Sequence, residues 1–421
     1  MVTSPSNARL RIAAASVAIV VLYGAQVWAA KASGSDPHAV HALVMIVTGL
    51  LQSAALLQLY RDAGRSSARS IVLAVVPAAI ALLVLSALAP NTDDDAAAYV
   101  AYAKLPAFAQ AYAPSPVAIS SPGFERVAST WPQLPPLVYG PLWLAVDRAL
   151  VGWAPSFAAA LGILRAVNVV LLGALVLGLR RAGCNAATLA VTALNPMLWF
   201  YFVVQAHNDL GPLVLVVAGT AIARTRPLLG ALVAGAAALI KIVFVAIAIL
   251  AYAGRRAWPQ TLAYAAASLA VTAVVSWVFG GAAYLHAMTE VGHMQIATRT
   301  DLPHLFAASL HAVLAAIAAA AIVAAVARNA FVAPAAYSFS AISTIVYPWY
   351  LGWCIPYAVR IPAFTGVFFV SLPAIAHLID PHFSLSPARS FALLVPYYAV
   401  VIVLVARSIV NARRTPLNAP E

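Results

Sequence analysis

Residues 91–99 have the sequence Asn-Thr-Asp-Asp-Asp-Ala-Ala-Ala-Tyr and place three adjacent carboxylates in a chain that is 64% hydrophobic and 9% charged. The mean hydropathy is +0.93 over 421 residues. Apolar runs of about 20 residues recur, and each is long enough to cross a hydrocarbon core of about 30 Å. The sequence therefore predicts an all-α, polytopic integral membrane protein, in which the acidic triplet must lie on one side of the membrane.

Charge and cysteine content exclude two other classes of protein. The net charge is +12, but the arginines stand singly or in pairs between apolar segments. This pattern indicates anchoring at the cytoplasmic leaflet, and we expect no nucleic-acid partner. The two cysteines, Cys184 and Cys354, are too few for a disulfide framework or a cysteine-based metal site.

Positive side chains orient the first three spans. Arg9 and Arg11 precede an apolar run to residue 30, which we interpret as a retained anchor. A cleaved signal peptide is the alternative, and it would leave the later spans in the same orientation. The second predicted span ends at Arg61, and the third covers residues 70–89. By the positive-inside rule, the N-terminus and the 61–69 loop are cytoplasmic, so the acidic triplet lies outside.

The longest hydrophilic segment is the predicted outer loop, residues 90–155, whose prolines and aromatics indicate an ordered surface. Loops of this length are usually functional. Asp147 and Arg148 would be unfavourable at the bilayer centre, so residues 139–153 are predicted to form an interfacial helix. This assignment also places Arg180, at the end of the next apolar run, on the cytoplasmic side.

Lys241 lies midway between Arg226 and Arg255, which are both predicted to be cytoplasmic. Two short crossings of about 13 residues that meet near Lys241 satisfy the charge rule. One ordinary span with a buried lysine is the alternative. The whole chain then makes about 14 crossings with both termini inside. We divide it into two N-terminal helices (1–69), a catalytic core (70–360), and C-terminal helices with a cytoplasmic tail (361–421).

Ten of the twelve acidic residues fall on the predicted outer side or its boundary, so the chemistry is expected there. A partly desolvated carboxylate at the mouth of a span suits a general base. Asp95 and Tyr99 are four residues apart and share a helix face, whereas Asp94 is rotated by about 100° and Asp93 by about 200°. The alternative is a solvated helix start with an aspartate as N-cap.

Other polar residues are candidates for substrate binding. His207-Asn208-Asp209 is predicted at the outer boundary, as a hydrogen-bonding set for a polyol or phosphate. A metal site is a weaker interpretation, because no second His or Glu stands at ligand spacing. Arg165 and Lys241 are candidates to meet an anion, although Arg165 could instead snorkel or pair with a carboxylate.

Aromatic residues near the second half of the chain have two interpretations. Trp349, Tyr350 and Trp353 either stack on a sugar or a prenyl chain, or form an interfacial aromatic belt.

The order of these motifs resembles one family, the polyprenol-phosphate-mannose-dependent α-1,6-mannosyltransferases of bacteria, within the GT-C membrane glycosyltransferases. The likeness covers residues 70–360. The motifs are Asp95 with Tyr99, Trp131, Tyr139-Gly140-Pro141-Leu142, Asn195-Pro196, His207-Asn208-Asp209, Lys241, and Pro348-Trp349-Tyr350 with Trp353.

Two elements depart from the family pattern. Ala111-Tyr112-Ala113-Pro114 stands where the family has Gly-x-Asn-Pro-Tyr, and Gln205-Ala206 stands where it has a glycine before His-Asn-Asp. The fold and donor class are expected to survive these changes.

The resemblance implies a GT-C fold in the bacterial inner membrane, with an active site on the extracytoplasmic face. It implies a polyprenyl-phosphate sugar donor, with mannose as the first candidate sugar, and a lipid-linked or glycan acceptor. The family's D-x-x-x-Y aspartate corresponds to Asp95, the expected catalytic base. The expected substrate-binding residues are Asp94, Tyr99, Tyr139, Arg165, His207, Asn208, Asp209, Lys241, Trp349 and Tyr350.

We expect no cofactor and no metal, because a lipid phosphate is a good leaving group once cationic side chains compensate its negative charge. The rival interpretation is a secondary transporter or lipid flippase, which would also have broken helices and intramembrane charge. The chain shows no internal repeat, which disfavours it. A third alternative is a non-catalytic subunit that keeps the fold.

Overall fold

The structure, a computed structural model, describes residues 5–32, 38–113, 115–116, 122–131, 133–253, 258–297, 347–359 and 362–379. These residues are mostly helical, with one antiparallel pair of two-residue strands, β1 (Ser115–Pro116) and β2 (Gln133–Leu134). The expected all-α class is confirmed. The parts of the predicted 14 crossings that fall on residues 298–346 and 380–421 lie outside the described residues.

The α-helices follow one another along the chain with short 3₁₀ and π segments between them. They are α1 (Pro5–Ala32), α2 (His38–Ala63), α3 (Ala68–Leu88), α4 (Asp95–Ala103), α5 (Glu125–Thr130), α6 (Pro141–Val151), α7 (Phe157–Arg181), α8 (Ala186–Ala193), α9 (Leu210–Ile222), α10 (Pro227–Ala238), α11 (Val243–Ala253), α12 (Trp258–Ala297), α13 (Ile355–Val359) and α14 (Pro362–Ile379). The 3₁₀ segments are Phe108–Tyr112 and Pro348–Cys354, and the π segment is Leu198–Val204.

Five of the described helices, α1, α2, α3, α7 and α12, are long and apolar enough to cross a membrane. A sixth span results if α8 and the π segment, which are bent by 50° relative to each other, count as one. Helices α9, α10 and α11 have 13, 12 and 11 residues, fewer than the roughly 20 of a full crossing. The membrane class is thus supported, and the number of about 14 crossings stays a prediction.

The chain forms two compact units that are discontinuous in sequence. The first contains Met1–Asn91, Leu172–Val204 and Asp301–Glu421, and the second contains Thr92–Leu171 and Gln205–Thr300. In the first unit, α1 and α14 pack against α2, with a buried cluster in which the Gln26 side chain bonds Thr48, Gln52 and His377. Such polar contacts link membrane helices where no water competes.

In the second unit, α9 to α12 pack on one another, and α4 packs on α5 and α6. Helix α10 ends at Ala238 and α11 begins at Val243. The predicted break around Lys241 is therefore present. Two short crossings, and the alternative of one span with a buried lysine, both stay predictions.

Helix α6 lies within the predicted interfacial segment and docks on the break at Lys241. The backbone N–H of Gly140 donates to Ile240 O at 2.9 Å, and that of Leu142 donates to Leu239 O at 3.0 Å. These carbonyls satisfy N–H groups that the first turn of a helix leaves without a partner. A Cβ on Gly140 would lie 2.2 Å from Leu239 O, so the close approach requires glycine.

Candidate active site

The acidic triplet forms the start of α4. Asp93 Oδ1 accepts a hydrogen bond from the backbone N–H of Asp95 at 2.8 Å, whereas the N-cap residue itself, Asp94, makes no side-chain capping bond. One turn further on, the Tyr99 hydroxyl donates to Asp95 Oδ2 at 3.3 Å. Asp95 and Tyr99 thus share a helix face, as the 3.6-residue period predicts.

The segment before α4 is held by Gln205, a residue that the sequence analysis did not place in the site. Its Oε1 accepts hydrogen bonds from the backbone N–H groups of Thr92 and Asp93, at 3.0 and 3.1 Å. Its Nε2 donates to Thr92 Oγ1 at 3.0 Å. This departure from the family pattern therefore positions the acidic triplet.

Ala206 has a φ of +60°, the left-handed region that favours glycine. An alanine in this conformation costs about 1–2 kcal/mol. The family pattern has a glycine before His-Asn-Asp, and this backbone conformation gives a physical reason for it. The left-handed residue directly precedes His207 and sets the direction in which the chain presents that side chain.

His207 is fully buried between two carboxylates of the triplet. Its Nε2 lies 3.3 Å from Asp93 Oδ2, and its Nδ1 lies 3.2 Å from Asp95 Oδ2. Both ring nitrogens therefore face carboxylates. The backbone of His207 is tied to α7, because the Asn168 side chain donates to His207 O at 3.2 Å.

The two oxygens of Asp95 have different environments. Oδ2 lies near three donors: His207 Nδ1, the Tyr99 hydroxyl at 3.3 Å and the Tyr139 hydroxyl at 3.5 Å. Tyr99 and Tyr139 are also 3.2 Å apart through their hydroxyls. No described residue donates to Oδ1, and a third of the Asp95 side chain is exposed. Oδ1 is thus the oxygen that a substrate can reach.

Charge pairing changes the pKa values in this cluster. Burial by itself would lower the pKa of His207, but the charge of Asp93 and the hydrogen bonds to Asp93 and Asp95 raise it to about 10. Burial opposes ionisation of Asp93 as well, yet His207 holds the pKa of Asp93 below its ordinary value. The pKa of Asp94 is raised by partial burial and by the charge of Asp93. At neutral pH, His207 is therefore an imidazolium held between carboxylates.

Helix α5, which lies in the predicted outer loop, contacts the triplet. The sequence did not indicate that its Arg126 would take part. One guanidinium nitrogen of Arg126 donates to Asp93 O at 3.3 Å, and Trp131 Nε1 donates to Asp94 O at 3.0 Å. Arg126 is half-buried and lies over the Phe157 ring, 5.4 Å from its centroid. The sequence did contain a signal for Arg126, because the segment from residue 90 to residue 155 has few cationic residues. Another of them, Lys104, donates to the backbone carbonyls of Gly152 and Ala154.

Lys241 pairs with one of the predicted polar residues. Its Nζ lies 2.9 Å from Asp209 Oδ1, with side-chain exposures of 13% and 1%. The ammonium also lies 5.5 Å from the centre of the Tyr139 ring, which links it to the hydroxyl network of Asp95. The charge of Lys241 is therefore compensated by a buried carboxylate.

The remaining predicted residues have different surroundings. Asn208 is buried, and neither atom of its carboxamide bonds to any residue in the described part of the chain. Arg165 is half-buried on α7 in the second unit. Trp349 and Tyr350 are buried in the 3₁₀ segment of the first unit, where Trp349 stacks on Tyr347 and Tyr350 on Trp353. Their place in a donor site stays a prediction.

Asp93, Asp95 and His207 are also the residues with which a metal could be held, since their ligand atoms lie within 4.8 Å of one another. One imidazole nitrogen faces Asp93 and the other faces Asp95. An ion bound at one nitrogen would leave the other nitrogen to donate to the second carboxylate, which is the usual arrangement around a metal-ligating histidine. A proton on each ring nitrogen satisfies the same two contacts, so the geometry fits an imidazolium as well as an ion.

Comparison with known protein families gives a match over the first part of the chain. Residues 7–258 match the MptA_B family, described as alpha-(1->6)-mannopyranosyltransferase, N-terminal domain. No curated protein and no solved structure matches the chain. The matched region is more than half of the 421 residues and contains the triplet, His207 and Lys241. The chain belongs to the α-(1→6)-mannopyranosyltransferase family.

Proposed function

We propose that this membrane protein transfers mannose from a polyprenyl-phosphate donor to an acceptor hydroxyl on the extracytoplasmic face, with Asp95 as the general base. Family membership supports mannosyl transfer. The apolar spans support a lipid-linked donor, and the charge rule supports the outer face. The observation that carries the proposal is the carboxylate of Asp95, with Oδ2 held by neighbouring donors and Oδ1 accessible.

The reaction is a direct displacement at the anomeric carbon. Asp95 Oδ1 takes the proton of the acceptor hydroxyl while the acceptor oxygen forms its bond to the anomeric carbon. The bond from that carbon to the phosphate oxygen breaks, and its electron pair leaves with the polyprenyl phosphate. The base is worth about 10²–10⁴-fold in rate. The product linkage is inverted relative to the donor.

His207 is a positioning residue in this proposal, which differs from the substrate-orienting role that the sequence suggested. Its ring is buried and both nitrogens face carboxylates. As an imidazolium it fixes Asp95 Oδ2 and compensates the charge of Asp93. The orientation of Oδ1 then depends on His207, Tyr99 and Tyr139 together.

The leaving phosphate gains negative charge during the reaction, so preorganised cations help most there. Lys241 and Arg165 were the cations expected from the sequence. Arg126 is half-buried beside Asp93, and its planar guanidinium can hold two phosphate oxygens at once, which a lysine ammonium does not match in geometry. For this reason we place Arg126 before Lys241 as the phosphate ligand.

The sugar hydroxyls need hydrogen-bonding partners in the same cluster. Asn208 is next to His207, and its carboxamide has donors and an acceptor that no described residue uses. A buried amide without partners is unfavourable by about 1–3 kcal/mol, which a sugar hydroxyl would relieve. We propose Asn208 and Asp94 as sugar or acceptor contacts. A donor role for Trp349 and Tyr350, in the first unit, stays the prediction made from the sequence.

The test uses the full-length protein in lipid nanodiscs, with labelled polyprenyl-phosphate mannose and a lipid-linked glycan acceptor. Asp95→Asn should reduce turnover about 10²–10⁴-fold and leave donor binding intact. Glu125→Gln is the matched control, because Glu125 is exposed at the start of α5 and its carboxylate bonds the backbone N–H groups of Gly123 and of Glu125 itself. Normal turnover by Asp95→Asn would contradict the proposal. Donor movement across vesicles without any mannose transfer would favour the flippase alternative.

A further inference from the structure

A cavity of about 270 Å³ lies in the second unit, far from Asp95. Its lining includes Arg224, Leu228, Tyr252, Gln260 and Tyr264, from the ends of α9, α10, α11 and α12. Helix α9 separates the two regions. It begins directly after Asp209 and has 13 residues, and at 1.5 Å per residue it spans about 20 Å. The cavity is therefore distinct from the candidate active site.

The wall of the cavity carries a buried hydroxyl that needs a partner. The Tyr264 ring stacks on Tyr252, with centroids 3.9 Å apart and planes at 5°. Tyr264 is 2% exposed, and its hydroxyl bonds to no described residue. The stack holds the ring in place, so this donor cannot turn away to solvent. A ligand that accepts hydrogen bonds would satisfy it.

Arg224 brings positive charge to the same cavity. It is exposed and lines the cavity, and the sequence from residue 210 to residue 289 contains no Asp or Glu to offset it. Helix α10 begins at Pro227, and its N-cap residue makes no side-chain capping bond. The N–H of Leu228 lies in this first turn, where the helix supplies no acceptor. These groups together favour an anionic ligand.

The apolar surroundings identify the source of the anion. Leu228 at the cavity and Leu262 on α12 are 65% and 61% exposed, as expected of side chains that contact acyl chains. The volume of about 270 Å³ is slightly below that of common ligand pockets, about 300–1,000 Å³. It suits a headgroup rather than a whole lipid. The charge rule predicts that this end of the helices is cytoplasmic, where anionic lipids are enriched.

We propose that this cavity binds the phosphate headgroup of an anionic phospholipid, held by the Arg224 guanidinium, the Tyr264 hydroxyl and the first turn of α10. The Tyr252–Tyr264 stack forms one wall. The acyl chains lie outside, along the exposed leucines. The site is a lipid site of the second unit and takes no part in mannosyl transfer.

Native mass spectrometry tests this proposal on the full-length protein, extracted from nanodiscs that contain phosphatidylglycerol or phosphatidylcholine. Wild-type protein should retain one phosphatidylglycerol in preference to phosphatidylcholine. Arg224→Gln and Tyr264→Phe should each weaken retention about tenfold, the size expected for a charge-assisted hydrogen bond. Arg226→Gln is the matched control, because Arg226 is exposed two residues away and does not line the cavity.

Equal retention of both lipids would overturn the proposal, and so would equal losses in Arg224→Gln and Arg226→Gln. Competition with inorganic phosphate distinguishes a lipid headgroup from free phosphate as the ligand of the cavity. If the lipid site is correct, millimolar phosphate leaves the retained phosphatidylglycerol in place. If free phosphate displaces the lipid fully, the cavity is an anion site and the lipid assignment is wrong. These experiments measure lipid retention and not mannosyl transfer. A failure of the lipid proposal therefore leaves the proposed function untouched, and the reverse also holds.

Discussion

The titration of His207 tests how the acidic cluster works. The pKa of His207 is raised to about 10 from an ordinary 6.5, since the carboxylates outweigh the effect of burial. This rise in the pKa corresponds to a stabilisation on the order of 5 kcal/mol, at about 1.36 kcal/mol per pKa unit. Because the folded pKa is the higher one, this stabilisation is full below pH 6.5 and is lost as the pH rises through 10.

The informative substitution is Asp93→Asn, which keeps the size of the side chain and removes the charge that raises the pKa of His207 most. Burial then acts with less opposition, so the pKa of His207 should fall by more than about one unit. Glu125→Gln removes a carboxylate of the same loop without touching His207, and should leave the pKa unchanged. Turnover of Asp93→Asn should fall, because the ring of His207 loses its contact with the Asp93 carboxylate and then holds Asp95 Oδ2 less firmly.

Nitrogen-15 NMR of selectively labelled histidine measures this directly, with His207→Asn used to assign the signal. An imidazolium spectrum should persist in wild-type protein well above neutral pH. Thermal stability should fall as the pH rises, and this dependence should be weaker in His207→Asn. A wild-type His207 that is neutral at pH 7 would refute the imidazolium between two carboxylates, and with it the positioning role.

Three further substitutions test the surroundings of the site. Gly140→Ala should lower stability by about 1–3 kcal/mol, measured by thermal unfolding, because its Cβ would meet Leu239 O at 2.2 Å; wild-type stability would contradict the close approach. Ala206→Gly should retain activity and raise stability by up to about 1 kcal/mol, since glycine favours φ of +60°; a clear loss would show that the turn is unstrained. Arg126→Gln should raise the KM for donor more than Lys241→Gln does, as measured by donor titration, and the reverse order would restore Lys241 as the phosphate ligand.

The sequence by itself determined the features that depend on local composition and spacing. Mean hydropathy and apolar runs established a helical membrane protein, because burial in lipid requires apolar side chains over a set length. Cationic residues at regular intervals predicted the break at Lys241, and α10 and α11 do end and begin around it. The four-residue spacing of Asp95 and Tyr99 placed both on one face, because the helical period is fixed by backbone geometry.

The two residues that depart from the family pattern, Gln205 and Ala206, could be seen in the sequence, but their structural roles could not. Ala206 was visible as a replacement for glycine, but only the backbone conformation shows that the position has a positive φ. Gln205 was visible beside it, and its bonds to Thr92 and Asp93 join residues more than a hundred positions apart.

Only the tertiary structure decided which polar residues meet. In the folded chain, His207 lies between Asp93 and Asp95, and Lys241 pairs with Asp209. Arg126 contacts the backbone of the acidic triplet. Residue type and spacing are silent on such pairs, because they depend on how distant helices pack and on which carboxylate lies within reach. The charge of a buried histidine follows from those neighbours rather than from its own sequence position, since burial and opposite charge shift its pKa in opposite directions.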